Sequence, residues 1–190
     1  MAQGPKRGEL CNMYRIFYLL LLCFTGANAQ RFPNDFVGLW KGQLLWCQTG
    51  KQAPQKVPMR LQITPADTAG QYNWTLNYAA ADNRPYLLKP VDTTKGLWMI
   101  DERNGIVLTQ RWLGNKLMGA FAVQKNLIMN SYAIEGNKMV VEFHTLSSSP
   151  ADSTGLGTDD SPMVQNYTIK GYQRAVLYRQ KQAPLPLRKK

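Results

Sequence analysis

The sequence predicts an all-β domain, an up-and-down antiparallel β-barrel of about 8–10 strands. Three observations carry this expectation. From Phe36 onward apolar side chains recur with a period of two, as in FVGLWKGQLLW at 36–46, and strands, not helices, put alternate side chains on one face. Strand-like runs then follow one another every ~8–12 residues through short polar turns, the spacing of a meander. So many strands in one small domain favour closure, because closure removes exposed sheet edges.

The first strand sets Phe36, Gly38, Trp40, Gly42, Leu44 and Trp46 on one face and Lys41 and Gln43 on the other. The second, VPMRLQI at 57–63, opposes Val57, Met59, Leu61 and Ile63 to Arg60 and Gln62. In the third, QYNWTLNY, Tyr72, Trp74, Leu76 and Tyr78 share a face against Asn73, Thr75 and Asn77. Further strands are expected at 86–91, 96–100, 106–112, 116–123, 127–134, 138–146 and 164–178, with turn chemistry at 81–84, 101–105, 114–115 and 135–137. Gly171 interrupts the last strand and suits a bulge or bend. The stretch 147–162, SSSPADSTGLGTDDSP, is expected to be a long polar loop flanking the barrel mouth. Its GLG is no phosphate loop, since no helix follows.

The domain organisation expected is a leader at 1–29, one barrel domain at 30–180 and a disordered basic tail at 181–190, which contains Pro184 and Pro186. In the leader, Arg15 precedes an apolar run at 16–24 and an Ala27-Asn-Ala29 cleavage pattern, so a signal peptidase would cut between Ala29 and Gln30. The run falls short of the ~20 apolar residues a membrane span needs. Met13 offers a compact alternative start. A lipoprotein anchor on Cys23 is the rival reading, and Leu22 stands where such signals use a small residue. The expectation is an exported protein, secreted or periplasmic.

The chain carries a net charge of +11, which falls to about +9 once Lys6, Arg7, Glu9 and Arg15 leave with the leader. Its positive charges are scattered singly along strands apart from Arg188-Lys189-Lys190, with no basic stripe interleaved with aromatics. No nucleic-acid partner is therefore expected. Cys47 is the lone cysteine outside the leader, which excludes an internal disulfide and suits a small buried hydrophobe.

The residues FVGLWKG, with Gly38-Leu39-Trp40 early in the first strand, resemble the first-strand signature of the calycin superfamily: lipocalins, fatty-acid-binding proteins and nitrobindin-like barrels. The resemblance implies a barrel whose base is closed by Trp40, with a basic residue from near the last strand packed across it. Arg174 or Arg179 can supply that residue, and Arg174 is taken as the partner. It also implies a cavity. Several family features are absent: a helical pair after the first strand, a terminal Arg-x-Tyr, and a C-terminal helix. A nitrobindin-like haem would need a histidine, and His144 is the one histidine in the chain. The architecture carries over; the ligand does not, and no cofactor is assigned.

Three functions remain open on this scaffold. In the first, the barrel holds a small lipophilic or amphipathic ligand against Trp46, Tyr72, Trp74, Tyr78 and Phe121, with His144 beside it, since aromatics combine large apolar area with polar tips. In the second, a solid barrel binds a protein or glycan through its surface. In the third, His144 and Glu142 act as an acid–base pair. No residue is assigned a catalytic role, as Gly-x-Ser-x-Gly is absent. No metal site is assigned either, because Cys47 and His144 fall short of a zinc set and Asp159-Asp160 of a calcium shell. Asn73-Trp-Thr75 and Asn166-Tyr-Thr168 match the N-glycosylation sequon.

Overall fold

The structure is a computed structural model that describes residues 31–79 and 82–181. The expected leader at 1–29 lies outside the described residues, as does the tail beyond Lys181. Twelve strands are present among the described residues: β1 (Gly38–Gln48), β2 (Gln55–Pro65), β3 (Tyr72–Tyr78), β4 (Asp82–Asp92), β5 (Leu97–Asp101), β6 (Val107–Leu113), β7 (Lys116–Val123), β8 (Asn126–Glu135), β9 (Lys138–Ser147), β10 (Asp152–Thr154), β11 (Val164–Asn166) and β12 (Ile169–Arg179). Ten of them close an antiparallel barrel in the order β1-β12-β9-β8-β7-β6-β5-β4-β3-β2, with β2 returning to β1. Among the described residues no helix is long and apolar enough to cross a membrane.

The expected polar loop is partly ordered. Within it β10 forms, and it pairs with β11, just beyond the loop, as a separate two-stranded ribbon, Ser153 opposite Gln165. What reads as one strand at 164–178 is therefore two. Val164–Asn166 pairs with the excursion, and β12 begins only at Ile169. The register against β9 shifts between Ile169 and Gly171, the irregularity Gly171 was expected to supply.

Alternation along each strand divides the interior into layers. At one end, the base, the chain before β1 turns through a short 3₁₀ helix, Asn34–Phe36, and plugs the barrel. Phe32 stacks on Trp112 at 4.6 Å between centroids and meets Trp98 and Phe36 edge-on at 5.0 and 5.1 Å. The Tyr72 hydroxyl donates to Asn34 Oδ1 at 3.0 Å, tying β3 to the same plug. Above the plug, Trp40, Leu61, Ile63, Trp74, Leu88, Leu117, Met139, Val141 and Leu177 are fully buried. This core is apolar, and each such side chain contributes about 1.5–3 kcal/mol by leaving water.

The two glycines of the opening stretch have distinct causes. Gly38 has a φ of +142°, and a Cβ there would lie 2.9 Å from Arg179 Nη1. Gly42 lies where a Cβ would drive into the backbone carbonyl of Val176 on β12. The first glycine thus admits the guanidinium over Trp40; the second lets β12 approach β1 and close the barrel.

The base partner of Trp40 is Arg179, not Arg174. The Arg179 guanidinium carbon sits 4.2 Å from the Trp40 ring centroid, and its nitrogens donate to the carbonyls of Asp35 and Val37. The reason is parity. Ala175 and Leu177 on β12 are buried, so Arg179 shares their face and Arg174 faces out. Cys47 corrects a second expectation, because it follows Leu45 onto the outer face and is exposed.

Candidate functional site

The end opposite the plug is open. It is rimmed by the connections at 49–54, 102–106 and 124–125, and by the long excursion between β9 and β12. Beneath this mouth lies a cavity of about 830 Å³, well within the ~300–1,000 Å³ usual for ligand pockets. Core side chains therefore fill the lower half of the barrel and leave the upper half hollow.

One wall is apolar and aromatic. Leu44 and Trp46 from β1, Val57 from β2, Phe121 from β7, Ile128 from β8 and Phe143 from β9 all line it. Each is brought inward by alternation with a buried residue deeper on the same strand, as Leu117 and Val141 show for Phe121 and Phe143. The other wall is polar and comes from β3, β4 and the end of β5. Along β4, Asp82, Arg84 and Tyr86 stand opposite Tyr78, Leu76 and Trp74 on β3, which fixes all three on the inner face.

Arg84 is held by Asp82 and Tyr78. Its Nε and Nη2 reach both oxygens of Asp82, at 2.9 and 2.7 Å, and its guanidinium carbon lies 4.9 Å from the Tyr78 ring centroid. This forked contact raises the affinity of Arg84 for its proton and draws the Asp82 carboxyl below its ordinary value. Burial pushes the Tyr78 hydroxyl well above the usual phenol range, against the pull of Arg84. Burial and then the charge of Glu102 raise Tyr86 as well, again opposed by Arg84. Glu102 completes this wall of the cavity.

Under the cavity floor is a second polar layer. Asn130 Nδ2 donates to Gln110 Oε1 at 2.9 Å, and both side chains are buried against Gly119. Gln110 Nε2, Asn130 Oδ1 and the neighbouring core donor Trp74 Nε1 have no hydrogen-bond partner among the described residues. Trp74 meets Tyr132 edge-on at 5.0 Å, and burial raises the Tyr132 hydroxyl strongly.

Against this geometry the residues singled out from sequence fall into three groups. Trp46, Tyr78 and Phe121 line the cavity. Trp74 is fully buried in the core and Tyr72 packs at the base, so neither lies on the cavity wall. His144 corrects an expectation, since it is exposed on the outer face of β9 against the Tyr172 ring, 4.9 Å away. The alternation that brings Phe143 inward sends His144 out. Glu142 is outside too, accepting from the Tyr172 hydroxyl at 2.5 Å and lying 3.7 Å from Arg174 Nε. Burial and this contact push the Tyr172 hydroxyl up to about 12. The pair proposed for acid–base work thus belongs to a surface cluster.

Sequence reasoning missed Asp82, Arg84, Tyr86 and Glu102. Ala-Asp-Asn-Arg reads as a turn, yet Asp82 already begins β4. The signal lay in the spacing Asp82-x-Arg84-x-Tyr86-x-Leu88, a period of two that runs on into the core.

The fold and site define a class: a ten-stranded antiparallel barrel, plugged at one end and hollow at the other. No protein-family model matches the chain, and no curated protein matches it. Among solved structures it is similar to a protein of unknown function from the DUF3598 family of Nostoc punctiforme. The TM-score is 0.56 at 12% identity, over 77% of this chain and 48% of that one. At this identity the likeness is one of fold. The chain spans about half the length of that structure.

Proposed function

We propose that this barrel is an exported, lipocalin-like binder of a small, partly apolar ligand. The observation that carries the reading is the cavity itself, about 830 Å³ with Trp46, Tyr78, Phe121 and Phe143 in its wall and a few convergent polar groups on one side. A barrel built as a solid interaction module would have spent that space on core side chains. The calycin reading is supported by Gly38, Trp40 and Arg179, whose arrangement at the base matches what the resemblance implies. Export rests on the leader pattern and the Ala29-Gln30 cleavage site.

The test is native mass spectrometry of the purified protein, with an absorbance scan and titration of a lipophilic fluorescent probe. A co-purifying small molecule or saturable probe uptake supports the reading. Leu108→Trp, which fills the cavity from β6, should abolish uptake while the barrel stays folded. A clean apo mass from several hosts with no probe uptake would overturn it in favour of a surface interaction module. N-terminal sequencing of exported material, expected to begin at Gln30, tests the export claim separately.

A further inference from the structure

We infer that the ligand of this cavity carries a cationic nitrogen, seated on Glu102 at the mouth, with its apolar body against the aromatic wall. The inference rests on the cavity-binding reading above and narrows it to one ligand class.

The charged side chains lining the cavity are Asp82, Arg84 and Glu102, so the lining is net acidic in a chain of net charge +11. An anionic ligand would look to Arg84, but that guanidinium is already committed. Two of its nitrogens are forked onto Asp82 and its face lies over Tyr78. To release it would strip Asp82 of its only ion pair among the described residues, and breaking a forked carboxylate contact is costly.

Glu102 is in the opposite position. Among the described residues no Lys or Arg pairs with it, and its neighbours are Tyr86 and the Asn104 amide at 3.5 Å. A half-buried carboxylate on a cavity wall with a hydroxyl beside it is an acceptor for an ammonium or other N–H cation. The aromatic rings complete the match, because an aromatic face attracts a cation through its quadrupole. Arg84 over Tyr78 is the same contact made within the chain. Trp46, Phe121 and Phe143 then take the apolar body.

The experiment compares decyltrimethylammonium, decylammonium, decanoate and decanol, which share a tail and differ in head group, by calorimetry and by displacement of a bound probe. Both cations should bind about ten-fold or more tighter than decanoate, with decanol between, as expected for one partly desolvated charge pair. Glu102→Gln should lower cation affinity about ten-fold and leave decanol unchanged. Decanoate binding tightest, or Glu102→Gln leaving the ranking intact, overturns the inference while cavity binding stands. If no probe binds, decanol included, both readings fall together. Circular dichroism of Glu102→Gln distinguishes a lost site from a lost fold.

Discussion

Arg179, on the last barrel strand, lies 4.2 Å over the indole of Trp40 on the first and also donates to the carbonyls of Asp35 and Val37. Trp40 Nε1 in turn donates to the Phe36 carbonyl at 2.9 Å. One guanidinium thus joins the plug, the first strand and the seam that closes the barrel. Arg179→Ala should cost about 1.5–4 kcal/mol, the sum of an exposed cation–π contact and two hydrogen bonds to backbone carbonyls. Arg179→Lys keeps the charge but not the fork, and should fall between the two. Arg174→Ala, on the outer face, should stay within about 0.5 kcal/mol. Urea unfolding of the three variants checks the order; equal losses at 174 and 179 would refute the assignment.

Gly42 predicts a seam mutation of a different kind. A Cβ there meets the Val176 carbonyl, and backbone on both sides leaves nothing flexible to move aside. Gly42→Ala should therefore cost about 1–3 kcal/mol or more by overpacking. Gln43→Ala, one residue along and exposed, should be near neutral. Thermal midpoints separate the two. A neutral Gly42→Ala would mean that β1 and β12 can part without loss.

Why the fold was legible and half the site was not follows from the same alternation. Trp40, Leu44, Leu61, Ile63, Trp74 and Leu76 are all buried on the faces their spacing assigned, because an apolar residue at every second position has one plausible place to go. The charged wall hid behind composition. Asp82-Asn83-Arg84-Pro85 has the residues of a turn, which masked the period of two from Asp82 to Leu88 until pairing with β3 showed it as strand. Arg174 and Arg179 were both visible as bases; choosing between them required the parity of Ala175 and Leu177. His144 was readable as outward from Val141 and Phe143, and its chemistry drew attention that its position did not support. Of the ribbon, Val164–Asn166 fell inside the strand expected at 164–178, whereas Asp152–Thr154, three residues long and wholly exposed, left no such trace.

The Gln110–Asn130 pair under the cavity floor gives a double-mutant prediction. Asn130→Leu alone leaves Gln110 buried without its partner and should cost about 1–3 kcal/mol. Gln110→Met alone should cost a similar amount by stranding Asn130. The double variant removes every unsatisfied polar atom of the pair and should recover most of the loss, with a coupling of about 1 kcal/mol or more. Strictly additive losses from urea unfolding would show that the two amides do not act as a unit.

Lys89 and Asp101 supply the pH prediction. Lys89 Nζ lies 2.5 Å from Asp101 Oδ2, and the Arg103 amide donates to Oδ1 at 2.8 Å. The Lys89 contact first, and then this amide, hold the Asp101 carboxyl below its ordinary value of 3.8. A carboxyl depressed in the folded state binds its proton more readily when unfolded. Its contribution to stability is therefore fully present above the ordinary value and is lost as pH falls through the depressed one. Wild type should melt above Asp101→Asn at neutral pH, and the gap should narrow as pH drops below about 3.8. Added salt should narrow the neutral-pH gap as well, since both groups are partly exposed. Melting curves from pH 2 to 7, at low and high salt, give the answer. A gap independent of both pH and salt would mean that the charge on Asp101, toward Lys89 and the Arg103 amide alike, does not hold the end of β5.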